Sequence, residues 1–189
     1  ALELLTEPGQ VIELRIPNAQ GRNNRTDAGY YDDAKALAKK ATGLGQGQSP
    51  GVYITLNPVN PALLARSANR VGEYAKNLTQ DPDILYRRWL PIDADPVRPS
   101  GISSTQEEHT AALERATEII AWLTAKGWPS PLSADSGNGA HLLYRLPDLP
   151  NTPENTTLIQ RCIEALAMVW DDETVTIDKT VFNASRIWK

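Results

Sequence analysis

The amino-acid sequence predicts an α+β (α/β) fold, a sandwich of helices on a mixed sheet whose other face is open. Three observations carry this. Strand-like and helix-like periodicities alternate along the 189 residues. A glycine-rich bend, "SGNG" at 136–139, joins two strand patterns in the second half, adding a hairpin to the crossovers. Two strongly amphipathic helices, near 105–126 and from 152 onward, each offer one apolar stripe.

Each element has its own signal. "VIELRIP" (11–17) alternates Val11, Glu13 and Arg15 against Ile12, Leu14 and Ile16, as a strand does. The segment "NAQGRNNRTDAG" (18–29) reads as a polar loop. Ala34, Leu37, Ala38 and Ala41 then recur at helical spacing, with Gly43 placed as a C-terminal cap. "GVYITLNP" (51–58) is a second strand, 60–75 a short helical stretch, and 85–95 a third strand.

For the helix over 105–126, Ser104 and Glu107 form an S-x-x-E capping box, Leu113, Ala116, Ile120 and Leu123 a buried stripe, and Gly127 the stop. Strands at 130–135 and 140–146 flank the glycine bend. The next helix starts at Thr152, has Pro153 in its first turn, and points Leu158, Ile159, Cys162, Ile163 and Leu166 inward. "TVTID" (174–178) is a further strand and "SRIWK" (185–189) another.

Composition narrows the class. A hydrophobic fraction of 41% and a charged fraction of 22% are those of an ordinary soluble domain. No apolar run approaches the roughly 18–20 residues that span a bilayer, and no charged-then-apolar leader is present, so cytoplasmic residence is expected. Cys162 is the single cysteine, which excludes an internal disulfide and a cysteine-based zinc site. A net charge of −4 argues against a protein that coats nucleic acid. It leaves room for a local basic patch at Arg22 and Arg25, Lys39 and Lys40, Arg66 and Arg70, or Arg87 and Arg88, each of which can equally be a solvated surface. The chain opens at Ala1 and stops at "ASRIWK" inside a strand pattern, so an excised domain is expected.

"RRWLPIDADPVRP" (87–99) brings two aspartates into the end of an apolar run. Residues two apart on a strand share a face about 6.6–6.8 Å apart. Asp93 and Asp95 therefore face one way, and Leu90, Ile92 and Ala94 the other. "TVTID" sets Thr176 and Asp178 against Val175 and Ile177; "AHLLYRL" sets His141, Leu143 and Arg145 against Ala140, Leu142, Tyr144 and Leu146. If these strands are neighbours, Asp93, Asp95, Asp178 and His141 converge on the uncovered face. Clustered carboxylates repel one another without a cation, and hard oxygen ligands suit Mg²⁺ or Mn²⁺. Asp93 and Asp95 ending a strand and Asp178 capping a turn is the plain alternative, and spacing leaves both open. "SGNGAH" (136–141) adds a bend whose backbone N–H groups favour anionic oxygens, followed by a histidine.

An Asp-x-Asp strand, a long helix, a glycine-rich bend ending in His, another helix and an isolated Asp after a strand resemble the archaeo-eukaryotic primase superfamily, in its primase-polymerase branch of phages, plasmids and mobile elements. The resemblance covers residues 11 to 189. It implies a primase catalytic core, an N-terminal α/β module (1–80) joined to an RRM-like module (81–189). Asp93, Asp95 and Asp178 would hold two Mg²⁺ or Mn²⁺ ions; His141, with Ser136 and Asn138 of the bend, would contact the phosphates of the incoming nucleotide. Ser136 matches the serine heading the glycine-rich form of this motif; forms with Ser-x-His have serine where this chain has Gly139. Arg186, Lys189 and Asn57 are further candidates for nucleotide contact, and Arg22, Arg25 and Arg87 for nucleic acid. The implied activity is primer synthesis and extension on a single-stranded DNA template from dNTP or NTP substrates, with a helicase or accessory domain after Lys189. The rivals are an Asp-x-Asp glycosyltransferase, which needs no third aspartate, and a non-catalytic RRM-like module, which wants exposed aromatics where this chain has acids. A rolling-circle nickase needs paired metal-binding histidines, and the two here are His109 and His141.

Overall fold

Six-residue strand β1 (Ile12–Pro17) is the centre of the first sheet. A computed structural model describes residues 2–44, 51–99 and 101–189. The chain divides into two compact units, Ala1–Arg87 with Ala184–Lys189, and Arg88–Asn183. The first unit follows α1 (Leu2–Leu5), β1, β2 (Thr26–Tyr31), α2 (Ala34–Leu44) and β3 (Tyr53–Thr55), and its sheet is completed by β8 (Ile187–Trp188) in the order β2-β1-β3-β8. The last six residues thus belong with the first unit, not with the module expected over 81–189, because β8 pairs antiparallel with β3.

Both faces of β1 are covered. Ile12, Leu14 and Ile16 pack with Tyr31 and Leu37, while Val11 joins Tyr30, Val59, Leu63 and Ile84. Glu13 is fully buried, held bidentately by Arg15 and by the N–H of Thr79. β2 runs through sequence expected to be a loop. Its Asp27 is buried because Arg25 forks onto both carboxylate oxygens at 2.9 and 2.7 Å. Its Gly29 is required, since a Cβ there would lie 2.0 Å from the carbonyl oxygen of Arg70. α2 is capped by Asp33 Oδ1, which accepts from the N–H groups of Lys35 and Ala36. Gly43 lies inside this helix instead of ending it, and the cap falls outside the described residues. The helix expected over 60–75 is only a 3₁₀ turn, Pro61–Arg66, begun by the Asn60 side chain accepting from Ala62.

The second unit runs β4 (Tyr86–Pro96, entering from the first unit), α3 (Gln106–Ala125), β5 (Leu132–Asp135), β6 (Ala140–Pro150), α4 (Pro153–Trp170) and β7 (Val175–Ile177). This is βαββαβ connectivity with sheet order β5-β6-β4-β7. The registered pairings are antiparallel in both sheets, so the expected mixed sheet is not formed: the β5–β6 hairpin places a reversed strand beside β4. The capping box of α3 sits one residue later than expected. Thr105 accepts from Glu108 N–H, and Glu108 accepts from Thr105 N–H, while Ser104 turns to Asn138. The buried stripe shifts accordingly to Ala112, Ala116, Ile119 and Leu123, and Gly127, at φ 86°, ends the helix. α4 begins as expected at Thr152 and Pro153 and buries Ile159, Ile163, Leu166 and Ala167. Leu158 is exposed and Cys162 half-buried, because Ala167 completes the stripe on the other side. Among the described residues no helix is long and apolar enough to cross a membrane.

Candidate functional site

Ala94 of β4 packs with Ala112 of α3 and Val175. Alternation therefore turns Asp93 and Asp95 to the sheet face away from the helices. β7 pairs with β4 in the register Ala94↔Ile177 and Asp95↔Thr176. One step further, the Asp178 N–H donates to the Asp93 carbonyl at 2.9 Å. Asp93 and Asp178 are thus opposite each other, with Cβ atoms expected about 4.5–5.5 Å apart. β6 lies on the other side of β4 and brings His141, whose Nε2 is 3.4 Å from Asp93 Oδ1. Four of the residues singled out in the sequence are gathered on one face.

The glycine bend is fitted to this site. A Cβ on Gly139 would lie 2.4 Å from the Ala94 carbonyl oxygen and 2.8 Å from Asp95 Oδ1. Only glycine lets β6 start this close to the acidic pair. The hairpin has two central residues, but they are Gly137 and Asn138, with the positive φ of 86° at Gly137, so it follows the Gly-X pattern and not Asn-Gly. Its N–H groups are directed inward. Gly137 donates to Asp135 Oδ1 at 2.7 Å, and Asn138 and Gly139 donate to Ser136 Oγ at 3.3 and 2.8 Å. The bend expected to offer its N–H groups to an anion uses them to hold its own shape.

Two residues bear on the bend without having been singled out for it. His109 of α3 lies 2.8 Å from the same Asp135 oxygen, and Ser104 donates its N–H and hydroxyl to Asn138 Oδ1 at 3.1 and 3.3 Å. The Gly137 N–H and His109 hold the Asp135 carboxyl below the usual carboxylate range. Its sequence signal is an Asp two residues before a glycine, the pattern of an Asx turn. Burial pushes His141 below the usual histidine range, opposed by Asp95 and Asp135. A neutral imidazole there offers one N–H and one acceptor nitrogen.

The donor types suit a hard divalent cation, three carboxylates sharing a face. Their present directions are local: Asp178 Oδ1 accepts from the N–H and hydroxyl of Thr180 at 2.8 and 2.7 Å, and Asp95 Oδ1 is 3.8 Å from Arg98. Among the described residues no group of three or more His, Cys, Asp or Glu side chains is arranged to hold a metal ion. A cation shared by all three acids therefore requires Asp178 to share or give up its Thr180 contact.

The remaining candidates lie in the first unit. Asn57 is buried and donates its Nδ2 to the Ala184 carbonyl at 2.9 Å, anchoring the C-terminal segment. Arg186 is half-buried and Lys189 exposed. Arg22 is exposed and donates to the Tyr74 hydroxyl. Arg25, proposed for nucleic acid, is instead buried against Asp27 and stacks 4.4 Å over the Tyr74 ring. Arg87 is also buried, and burial pushes its pKa down against the pull of Asp81. Neither guanidinium presents a surface cation. The sequence matches no protein-family model, and comparison with curated proteins and with solved structures yields no match.

Proposed function

We propose that the second unit is the catalytic module of a metal-dependent nucleotidyltransferase, a DNA primase-polymerase that joins nucleotides on a single-stranded DNA template. The observation that carries this reading is the opposition of Asp93 and Asp178 across β4 and β7, on the face that also holds Asp95 and His141. Asp178 does cap the turn at Thr180, as the plain alternative has it, but that role alone requires no meeting with Asp93. It supports the primase-polymerase resemblance over the glycosyltransferase alternative, which has no use for the third aspartate.

Two bound Mg²⁺ or Mn²⁺ ions would supply the lowered pKa of the attacking 3′-hydroxyl and the neutralisation of the leaving pyrophosphate. Asp93, Asp95 and Asp178 would hold them. His141, neutral and close to Asp93, would donate its N–H to a phosphate oxygen and so orient the triphosphate. Ser136 and Asn138 act one step back, by shaping the bend against Asp95. The test is a priming and extension assay with labelled nucleotides, single-stranded template and Mg²⁺ or Mn²⁺. Incorporation that disappears with chelator and in Asp93→Ala is expected; normal incorporation by a folded Asp93→Ala protein would refute the assignment.

A further inference from the structure

We propose that the cavity beside the C-terminal half of α2 binds the phosphate backbone of a single nucleic-acid strand. The cavity measures about 540 Å³ and is walled by one helix face, Ala36, Lys39, Lys40, Gly43 and Leu44, facing residues 69–71. These helix positions follow the i, i+3, i+4, i+7, i+8 spacing that makes one continuous surface. Every charged residue of the lining is a cation: Lys39, Lys40 and Arg70. This occurs in a chain whose net charge is −4.

Charge is segregated around the helix. A second cavity of about 490 Å³ at the other end of α2 is lined by Glu3, Glu7, Asp32 and Asp33, with Lys35. Three arginines of this unit are occupied within the fold, Arg15 by Glu13, Arg25 by Asp27, and Arg66 by the Tyr30 hydroxyl and the Asn77 carbonyl. Lys39, Lys40 and Arg70 are exposed, and among the described residues no ion pair joins them to an acid.

The frame of the cavity is tied by hydrogen bonds and by one close backbone approach. Asn69 donates to Asp32 Oδ1 at 2.7 Å and its N–H to the Tyr30 carbonyl at 2.7 Å. The Arg70 carbonyl presses on Gly29 so closely that no Cβ fits between them. At Gly43 a Cβ would meet nothing within 4 Å among the described residues. Tyr31 also lines the cavity, and three solvated cations around it suit sequence-independent contact with successive phosphates.

The inference deepens the polymerase reading by giving the template a contact on the first unit. Strand binding needs neither metal nor turnover, so it is measured in chelator by anisotropy of a labelled oligodeoxythymidylate at several salt concentrations. For Lys39→Ala/Lys40→Ala/Arg70→Ala, binding at low salt should weaken about tenfold or more. The slope of log K against log salt should become shallower by about 2, at roughly 0.7 per lost phosphate contact on a single strand. Lys35→Ala/Lys76→Ala/Lys179→Ala removes the same charge elsewhere and should keep the slope. Both triple variants change exposed side chains and should melt like the wild type. An unchanged slope in the first variant, an equal loss in both, no strand binding by the wild type, or equal competition by a nucleoside triphosphate or polyglutamate would each overturn the proposal. None of these outcomes alters the expectation that Asp93→Ala loses nucleotide incorporation on a pre-formed primer, which tests the catalytic reading separately.

Discussion

Asp178 donates its backbone N–H to the carbonyl of Asp93, so two carboxylates face each other across neighbouring strands. Like charges opposed in this way destabilise a sheet by a few tenths to about 1 kcal/mol.

Asp178→Asn should therefore leave the metal-free protein as stable as the wild type, or up to about 1 kcal/mol more stable, since asparagine can still accept from Thr180. The same change should lower nucleotide incorporation at least about 100-fold. Mg²⁺ should raise the wild-type melting temperature and leave that of the variant unmoved, and thermal melts with and without chelator measure this.

Gly139→Ala forces a methyl group against the Ala94 carbonyl and the Asp95 carboxylate. Backbone atoms cannot rotate away, so a loss of about 1–3 kcal/mol is expected. It should show as a lower urea midpoint at unchanged m-value, together with reduced activity in the protein that remains folded.

The tethers of the bend should act on substrate binding. Asn138→Ala removes the acceptor of both Ser104 bonds, and His109→Ala frees Asp135 from α3. Steady-state kinetics should show KM for the nucleotide rising severalfold, with kcat changed less, because neither side chain belongs to the acidic set. An equal fall of kcat with unchanged KM would count against a positioning role.

Arg25 and Asp27 form a buried pair in the first unit. Asp27→Ala removes the bidentate partner of a buried guanidinium that keeps Glu73 at 3.3 Å, and should cost about 1–3 kcal/mol, more than Arg25→Met/Asp27→Leu, which removes both charges. Burial pushes the Asp27 carboxyl up, but the Arg25 hydrogen bond and the Tyr74 N–H outweigh it and leave the pKa below its usual value. A carboxyl depressed by folding stabilises fully above its unfolded pKa of about 3.9 and loses that contribution as pH falls through the folded value. The acid limb of the stability curve should accordingly be shallower in Asp27→Ala.

The site was more readable in the sequence than the sheet that accompanies it. Asp93, Asp95, His141 and Asp178 could be placed from alternation alone because a strand's period of two is local, and "SGNG" announced the hairpin. β2 was not readable, since Asp27 and Gly29 are loop residues by preference. What makes them strand residues is distant or three-dimensional: a guanidinium folded back onto one and the Arg70 carbonyl pressed against the other. The cap of α3 moved by one residue because Ser104, equally fit for it, is drawn to Asn138. The positive φ at Gly137 instead of at Asn138 follows from Asp135 and Ser136 taking the N–H groups of the bend, an arrangement that the dipeptide preference does not contain.

The return of residues 184–189 to the first sheet makes Arg88–Asn183 an insertion within the other unit. On the ribosome, β3 must wait without its edge partner β8 until residues 187–188 have emerged, although domains ordinarily close in the order of synthesis. A cut after Asn183 would strip β8 from β3 and Ala184 from the Asn57 side chain, so separating residues 184–189 should injure the unit whose other residues are encoded before Arg88.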